Sequence, residues 1–558
     1  MNFQKTAVHC AIALIVLGLV ACSGGGDSDP TPTPLPPPIT SVQVGEVVAL
    51  TVSGKLVSFN RATPGTQVGS VTVTGLTTGE TLLGIDVRPA DSKLYALGSA
   101  GNLYTLDPAT GVATLKIALK ALTGDDNPYS ALVGTSFAVD FNPVADRLRV
   151  VGNTGQNLRI NVDTGDTTTD GAITPASASV TAAAYTNSFA GTTSTRLFDL
   201  DVAAGQLYLQ NPPNDGALTG AITLGVSADA VNGFDIDART NLGYAILTTG
   251  NETAFYSINL AATANAATKI GVIGSAGDAI RGVALMATAA PTALALTSDN
   301  RLVAFNPSAP NTITSTTAIT GLGSGEVVLG VDFRPRDGLL YGLATGGRLY
   351  TINPATGAAT FRAMLMADPT DATAPYAGIA GTVTSVDFNP AADRLRVITS
   401  AGQSLRIVVE TATTGTTTVT AGNTITDGAI NRVSGAASVV ASAYTNSFAG
   451  TTATMLHNLE QNSDVLTLQN PPNDGTLTNI GALGLDITGN AGFDIGGGDN
   501  GLILAALRAG TSGPFSLYTV SLTTGAATLY RNTSGNAALS QIGGSAGPAN
   551  LVDIAIRF

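Results

Sequence analysis

Seven aspartates recur between apolar residues in short strand-like stretches of this chain: Asp86, Asp140, Asp235, Asp332, Asp387, Asp494 and Asp553. Gathered around an axis, such carboxylates would hold a hard cation, which takes oxygen ligands. They could also supply the acid and base of a hydrolase, with two carboxyl groups about 5–9.5 Å apart at an open cleft. The same residues have a structural use. A carboxylate buried between packed sheets needs an arginine or backbone N–H groups as partners, and Arg147, Arg149, Arg394 and Arg396 are available for that purpose. Because the aspartate recurs in modules that would face different directions, the structural use is favoured over a catalytic one.

A second oxygen-rich feature is the loop Asn211-Pro212-Pro213-Asn214-Asp215-Gly216, which returns unchanged from Asn470 to Gly475. Asp215 and Asp474 are its candidate calcium ligands. Pro, Asn, Asp and Gly are also what a tight turn requires for backbone reasons. The spacing is not that of an EF-hand, so the turn is favoured, and calcium is the one cofactor kept open.

Several chemistries are excluded by scarcity. Histidine occurs only at His9 and His457, and cysteine only at Cys10 and Cys22. Setting aside the segment that ends at Cys22, the folded part has one histidine and no free thiol. A disulfide framework, a cysteine nucleophile and zinc sites built from cysteines or several histidines are therefore out of reach. A Ser-His-Asp relay would have to use His457, whose counterpart in the first half of the chain is Phe198. The formal net charge is −13, and removal of Lys5 with the leader makes it more negative still. An acidic surface repels nucleic-acid phosphates, and no basic run interleaved with aromatics offsets it.

The elements that must position these residues are written twice. Leu103-Tyr104-Thr105-Leu106-Asp107-Pro108-Ala109-Thr110-Gly111 returns as Leu349-Tyr350-Thr351-Ile352-Asn353-Pro354-Ala355-Thr356-Gly357. Asp140-Phe141-Asn142-Pro143 with Asp146-Arg147-Leu148-Arg149-Val150 returns as Asp387-Phe388-Asn389-Pro390 with Asp393-Arg394-Leu395-Arg396-Val397. Ala184–Thr193 returns unchanged as Ala443–Thr452. Within each half, short runs of Val, Ile, Leu, Tyr and Phe alternate with Gly/Asn/Asp/Pro turns. One module reads Gly84–Val87, Lys93–Leu97, Asn102–Leu106 and Gly111–Leu115, and similar modules follow at a step of about 50 residues. Four short antiparallel strands per step, with few helical stretches, are the mark of propeller blades. Tyr95, Tyr104, Tyr341 and Tyr350 alternate along these strands and read as packing between blades.

The expected fold is therefore all-β: five blades in 43–290 and five in 291–558. Two tandem five-blade propellers are favoured, because each half carries a whole set of strands; one ten-blade ring is the alternative. The last strand, Val552–Ile556, lacks partners after it, and the first strands near Val47–Val52 lack one before them. Joining the two chain ends in one blade would remove both edges. Gly282–Leu285 and Ala293–Leu296 are spaced like neighbouring strands of one blade.

Both halves resemble a bacterial family known as domain of unknown function 4394. The resemblance rests on the Leu-Tyr-Thr-x-x-Pro-Ala-Thr-Gly, Asp-Phe-Asn-Pro…Asp-Arg-Leu-Arg-Val and Asn-Pro-Pro-Asn-Asp-Gly segments quoted above. It implies a protein of exported type and brings no catalytic residues to transfer.

The first 21 residues read as a signal peptide, with Lys5 before an apolar run from Ala11 to Ala21. Leu19-Val20-Ala21-Cys22 resembles the lipobox of bacterial lipoproteins. That resemblance implies lipid on Cys22, attachment to the membrane through that lipid, and, with Ser23 after it, an outer-membrane address in the cell envelope of a Gram-negative cell. Residues 22–42 form a Gly/Ser- and then Pro-rich tether, extended and semi-rigid. The expected function is a binding or scaffold module at the envelope for a protein or glycan ligand, without enzymatic activity and without nucleic acid. A glycoside hydrolase using channel carboxylates is the alternative.

Overall fold

Alternation of buried and exposed positions along short segments dictates strands, and almost nothing else is formed. The computed structural model describes residues 41–274, 278–286, 291–415, 417–510, 512–530 and 536–557. The leader, Cys22 and the Pro-rich tether lie outside these residues. Ser41–Phe558 make one compact unit. Among the described residues helix is confined to five single 3-10 turns, the longest Ala537–Ser540. Among the described residues no helix is long and apolar enough to cross a membrane.

Apart from a small hairpin of Ala412–Thr414 and Thr417–Val419, the strands of the described residues form two sets of five sheets, each built on four antiparallel strands, some with a short parallel fifth. In the first set the innermost strands are Ile280–Leu285, Leu82–Arg88, Phe137–Asn142, Val180–Tyr185 and Ala230–Ile236. Each packs against the next, and the fifth against the first, so they enclose a shaft. The second set repeats this with Leu551–Arg557, Val328–Phe333, Val383–Asn389, Val439–Tyr444 and Gly492–Gly496. These are two five-bladed propellers. Inner strands are buried on both faces, which is why they read as nearly continuous apolar runs. Outer strands such as Ala113–Ala118 and Ile313–Ala318 are largely exposed. The apolar core lies between adjacent blades: Val48, Leu50 and Leu56 of one sheet pack on Ile85, Val87 and Leu94 of the next.

Closure differs from the expectation at the chain ends. Val552–Ile556 does not complete the sheet begun near Val47. The first ring is closed by Ile280–Leu285 against Val47–Thr51, in the register Val47↔Leu285 to Leu50↔Gly282. The second is closed by Leu551–Arg557 against Thr292–Thr297, from Thr292↔Arg557 to Leu296↔Asp553. Gly282–Leu285 and Ala293–Leu296 thus lie in different sheets, and there is no ten-blade ring. Both closing strands are short apolar runs, so composition alone does not choose between them. The ladders do, because each half supplies the missing inner strand to its own open sheet. Outer edges gain short parallel additions: Lys120–Ala121 beside Asp166–Thr169, and Met366–Ala367 beside Asn423–Thr426.

The rings touch through the repeated Ala184–Thr193 segment of the first and a segment of the second, Gly496–Gly501, that differs from its counterpart Asp237–Leu242. Phe189 of the first ring is buried in a cluster of the second that includes Ala293, Phe305, Leu504, Phe515 and Tyr530. Thr192 Oγ1 donates to Gly501 O at 3.2 Å, and Gly498 N donates to Arg239 O at 3.0 Å. A Cβ at Gly498 would stand 2.6 Å from Thr240 O, so the close approach of the two backbones requires glycine there.

Since each ring closes itself, a chain ending at Asn550 should open only the second. Hydrogen exchange is expected to show lost protection across Thr292–Leu529 while Val47–Leu285 stays protected. Equal loss in both halves would contradict independent closure.

Candidate functional site

The inner-strand aspartates converge on the shafts, where their side chains point from one blade to the next. Asp86 Oδ1 accepts from Val87 N at 2.7 Å, and its Oδ2 accepts from Phe141 N of the following blade, also at 2.7 Å. Asp140 Oδ1 accepts from Tyr185 N at 2.9 Å. Asp235 accepts from Ile236 N and, across to the closing strand, from Leu285 N, each at 2.6 Å. The second ring repeats the scheme. Asp332 accepts from Phe333 N and Phe388 N, Asp387 from Tyr444 N, and Asp494 from Ile556 N. In every case the acceptor on one blade meets a donor one residue beyond the equivalent position on the next. The donors are backbone N–H groups that point into the shaft and have no ladder partner on that side, so the carboxylates satisfy them.

Asp553 uses the same device two residues earlier in its strand. It accepts from Ile554 N at 2.9 Å and from Val331 N at 3.0 Å. The residue in line with Asp332 is Ala555, as the bond from Ile556 N to Asp494 shows. Asp553 therefore does not occupy the shared position expected from sequence, and it lies outside the clusters formed by the others. Two triads result: Asp86, Asp140 and Asp235 in one ring, Asp332, Asp387 and Asp494 in the other, each with one carboxylate oxygen per residue within 4.8 Å of the others.

All seven are nearly buried, none more than 6% exposed. Burial pushes their carboxyls upward, and neighbouring aspartates add to this for Asp86, Asp140, Asp332, Asp387 and Asp553. Asp235 and Asp494, each with two backbone donors, are held back to about 6. Like charges this close do not all ionise, so each triad shares protons. The remaining lone pairs are of the type a hard cation accepts, which makes the triads the places where these rings could hold one. As the acid and base of a hydrolase the first ring's carboxylates are badly placed. The opening beside Asp86 and Asp235 measures about 30 Å³, room for about one water.

The arginines expected as partners do other work. Arg147 and Arg394 donate to carbonyls of their own turns, Ala145 and Asp146 in one copy, Ala392 and Asp393 in the other. Arg149 and Arg396 are almost wholly buried and donate to Asp170 at 2.6 Å and Asp427 at 2.5 Å. Each also reaches the tyrosine hydroxyl of the next inner strand, Tyr185 or Tyr444, at 3.2 Å. Their remaining Nη2 donates to Asn214 Oδ1 at 2.7 Å and Asn473 Oδ1 at 2.8 Å. This explains the unchanged Asn-Pro-Pro-Asn-Asp-Gly loops: a short 3-10 turn ends at Gly216 (φ 68°) or Gly475 (φ 72°) and presents an asparagine to a buried guanidinium of the preceding blade. Asp215 and Asp474 are exposed, and among the described residues neither belongs to a group of three potential metal ligands.

Two further charged centres escaped the sequence reading. Arg88, two residues after Asp86, joins Asp146, Asp163 and Asp91; Arg334, two after Asp332, joins Asp393, Glu410 and Asp337. The repeated Asp-x-Arg was the available signal. Asp199 is fully buried, and neither of its carboxylate oxygens has a hydrogen-bond partner among the described residues. Burial drives it up to about 8 despite the nearby Arg149. Its counterpart, opposite Ser442 as Asp199 is opposite Ala183, is Asn458, so both copies place a neutral group there. His457 is buried without a partner on Nδ1 and is depressed to about 4 by desolvation, which ill suits a base relay. Tyr95, Tyr104, Tyr341 and Tyr350 are all buried between blades.

A family model described as a domain of unknown function (DUF4394) matches residues 55–284 and again 301–543. No curated protein matches the chain. Among solved structures, a structural-genomics target from Lactobacillus plantarum is 15% identical over 66% of this chain and 98% of its own, with a TM-score of 0.25. The Dos1 propeller is 13% identical over 64% of this chain and 91% of its own, with a TM-score of 0.24.

Two predictions follow from this geometry. Asp235 is protonated in the fold at pH values where the unfolded chain has released its proton. Its contribution to stability is therefore full below about pH 4 and lost as pH rises through about 6. The difference in urea midpoint between wild type and Asp235→Asn should change across that window and be flat above pH 8; a difference independent of pH would contradict the assignment. Arg149→Met or Arg396→Met removes the donor to a buried carboxylate and should cost about 3 kcal/mol or more in urea unfolding. A loss below about 1 kcal/mol would show that the network contributes little.

Proposed function

The chain belongs to the domain of unknown function 4394 family, and from that starting point we propose that it is a lipid-anchored binding or scaffold module of the cell envelope. The observation that carries this reading is the inward use of the axial carboxylates. They are engaged with backbone donors inside closed shafts, which leaves the ring faces and their loops as the surface for recognition. A rigid body that displays loops suits a protein or glycan ligand. The Leu-x-Ala-Cys ending of the leader and the proline-rich spacer support lipid on Cys22 and a body held away from the bilayer. Ser23 supports the outer membrane as its address.

The anchoring is tested in a Gram-negative host fed an alkyne-bearing palmitate. The wild-type chain should carry the label and sediment with the outer membrane, and Cys22→Ser should lose the label and leave the membrane fraction. An unlabelled wild type, or a variant that still takes up label, would overturn the anchoring part of the proposal.

A further inference from the structure

The two rings diverge at the shaft entrance that precedes the aspartates along each inner strand. In the first ring this space is nearly filled, leaving about 20 Å³ between residues that include Phe137 and Arg281. Arg281 lies across it and donates from Nη1 to Leu82 O at 2.7 Å. In the second ring a cavity of about 310 Å³ lies at the corresponding entrance, somewhat further out along the strands.

The register of the closing ladders shows why. Leu50 pairs with Gly282 and Thr51 with Ile280, which leaves Arg281 in the bulge between them. Leu296 pairs with Asp553 and Thr297 with Leu551, which leaves Val552 in the same bulge. Val552 is thus the counterpart of Arg281. Phe137 pairs with Gly152, and Val383 pairs with the equivalent Thr399, Thr384 being the extra residue of a bulge, so Val383 is the counterpart of Phe137. A guanidinium and a phenyl ring have been replaced by two small side chains, and both replacements line the cavity. Thr181 has likewise become Val440.

What remains is an apolar wall of Val328, Leu329, Val383, Val440 and Val552 with an amide edge from Gln461 and Asn490. No charged side chain lines it. Asp553 is adjacent in sequence, but its two oxygens accept from Val331 N and Ile554 N. The volume lies at the lower end of the range of small-molecule sites, about 300–1,000 Å³, and an apolar wall with a few polar groups is their usual make-up.

We propose that the shaft entrance of the second ring binds a small neutral molecule with an apolar body and a hydroxyl or amide edge, and that Arg281 and Phe137 bar the same site in the first ring. This deepens the binding-module reading and does not depend on the lipid anchor.

The test uses the full chain carrying Cys22→Ser, so that no attached lipid competes, and the neutral dye N-phenyl-1-naphthylamine as the probe. Its fluorescence should rise saturably with a single site. Val552→Arg, which rebuilds the first ring's plug, should weaken binding at least tenfold with the cooperative melt retained. Val383→Phe should do the same and decides the matter if Val552→Arg does not fold. No saturable signal from the parent chain, or undiminished binding in a folded variant, overturns the pocket. Neither result bears on palmitate labelling at Cys22, so failure here is distinct from failure of the anchoring proposal.

Discussion

An acceptor sent from each blade to the unpaired N–H of its neighbour is the contact on which both rings depend. An inner strand uses its ladder groups on one side only; on the other side its N–H groups face the shaft. Water cannot serve them all in so narrow a space, and a buried amide left without a partner costs about 1–3 kcal/mol. Asp86 to Phe141, Asp140 to Tyr185 and Asp235 to Leu285 meet that need in the first ring, and Asp332, Asp387, Asp494 and Asp553 meet it in the second. Burying several carboxyls together raises their proton affinity, so protons are retained within each triad, and this makes the arrangement tolerable in an apolar interior.

Around this axis the second layer of polar contacts is made by arginines. Arg149 and Arg396 fasten each third blade to the loop of the fourth, and Arg88 and Arg334 fasten each second blade to the third. With further polar links such as Arg61 to Asp237 and Asn241 to Asn187, these contacts hold the angle between neighbouring sheets. Asp at the shaft and Arg at the periphery are therefore two parts of one solution to the same packing problem, and both are duplicated because the whole ring is.

Much of this was legible in the residues. Turn residues and alternating patterns are local, so the strand quartets and the twofold repetition could be read directly. The recurring aspartate also stood out, together with its backbone-bonded role as one of two options. Closure was not legible, because Gly282–Leu285 and Val552–Ile556 look alike and the choice of partner depends on a ladder between segments more than 200 residues apart. The two-residue offset of Asp553 was hidden for a similar reason: it too is flanked by apolar residues, and only the bond from Ile556 to Asp494 sets the frame. Arg88 and Arg334 were passed over in favour of arginines in a more conspicuous motif. The contact between the rings was written in a divergence, Asp237–Leu242 against Gly496–Gly501, where glycines enter because another backbone lies within reach.

The path of mechanical tension follows from the closing ladders. The chain enters the first ring at Val47–Thr51, and the strand holding that segment in place, Ile280–Leu285, is also the last strand before the second ring begins. For a body tethered by its amino end, the covalent path from the tether to the distal ring runs through this one sheet. The proximal closing blade would then act as the fuse of the assembly, with the ladder between Val47–Thr51 and Ile280–Leu285 under load.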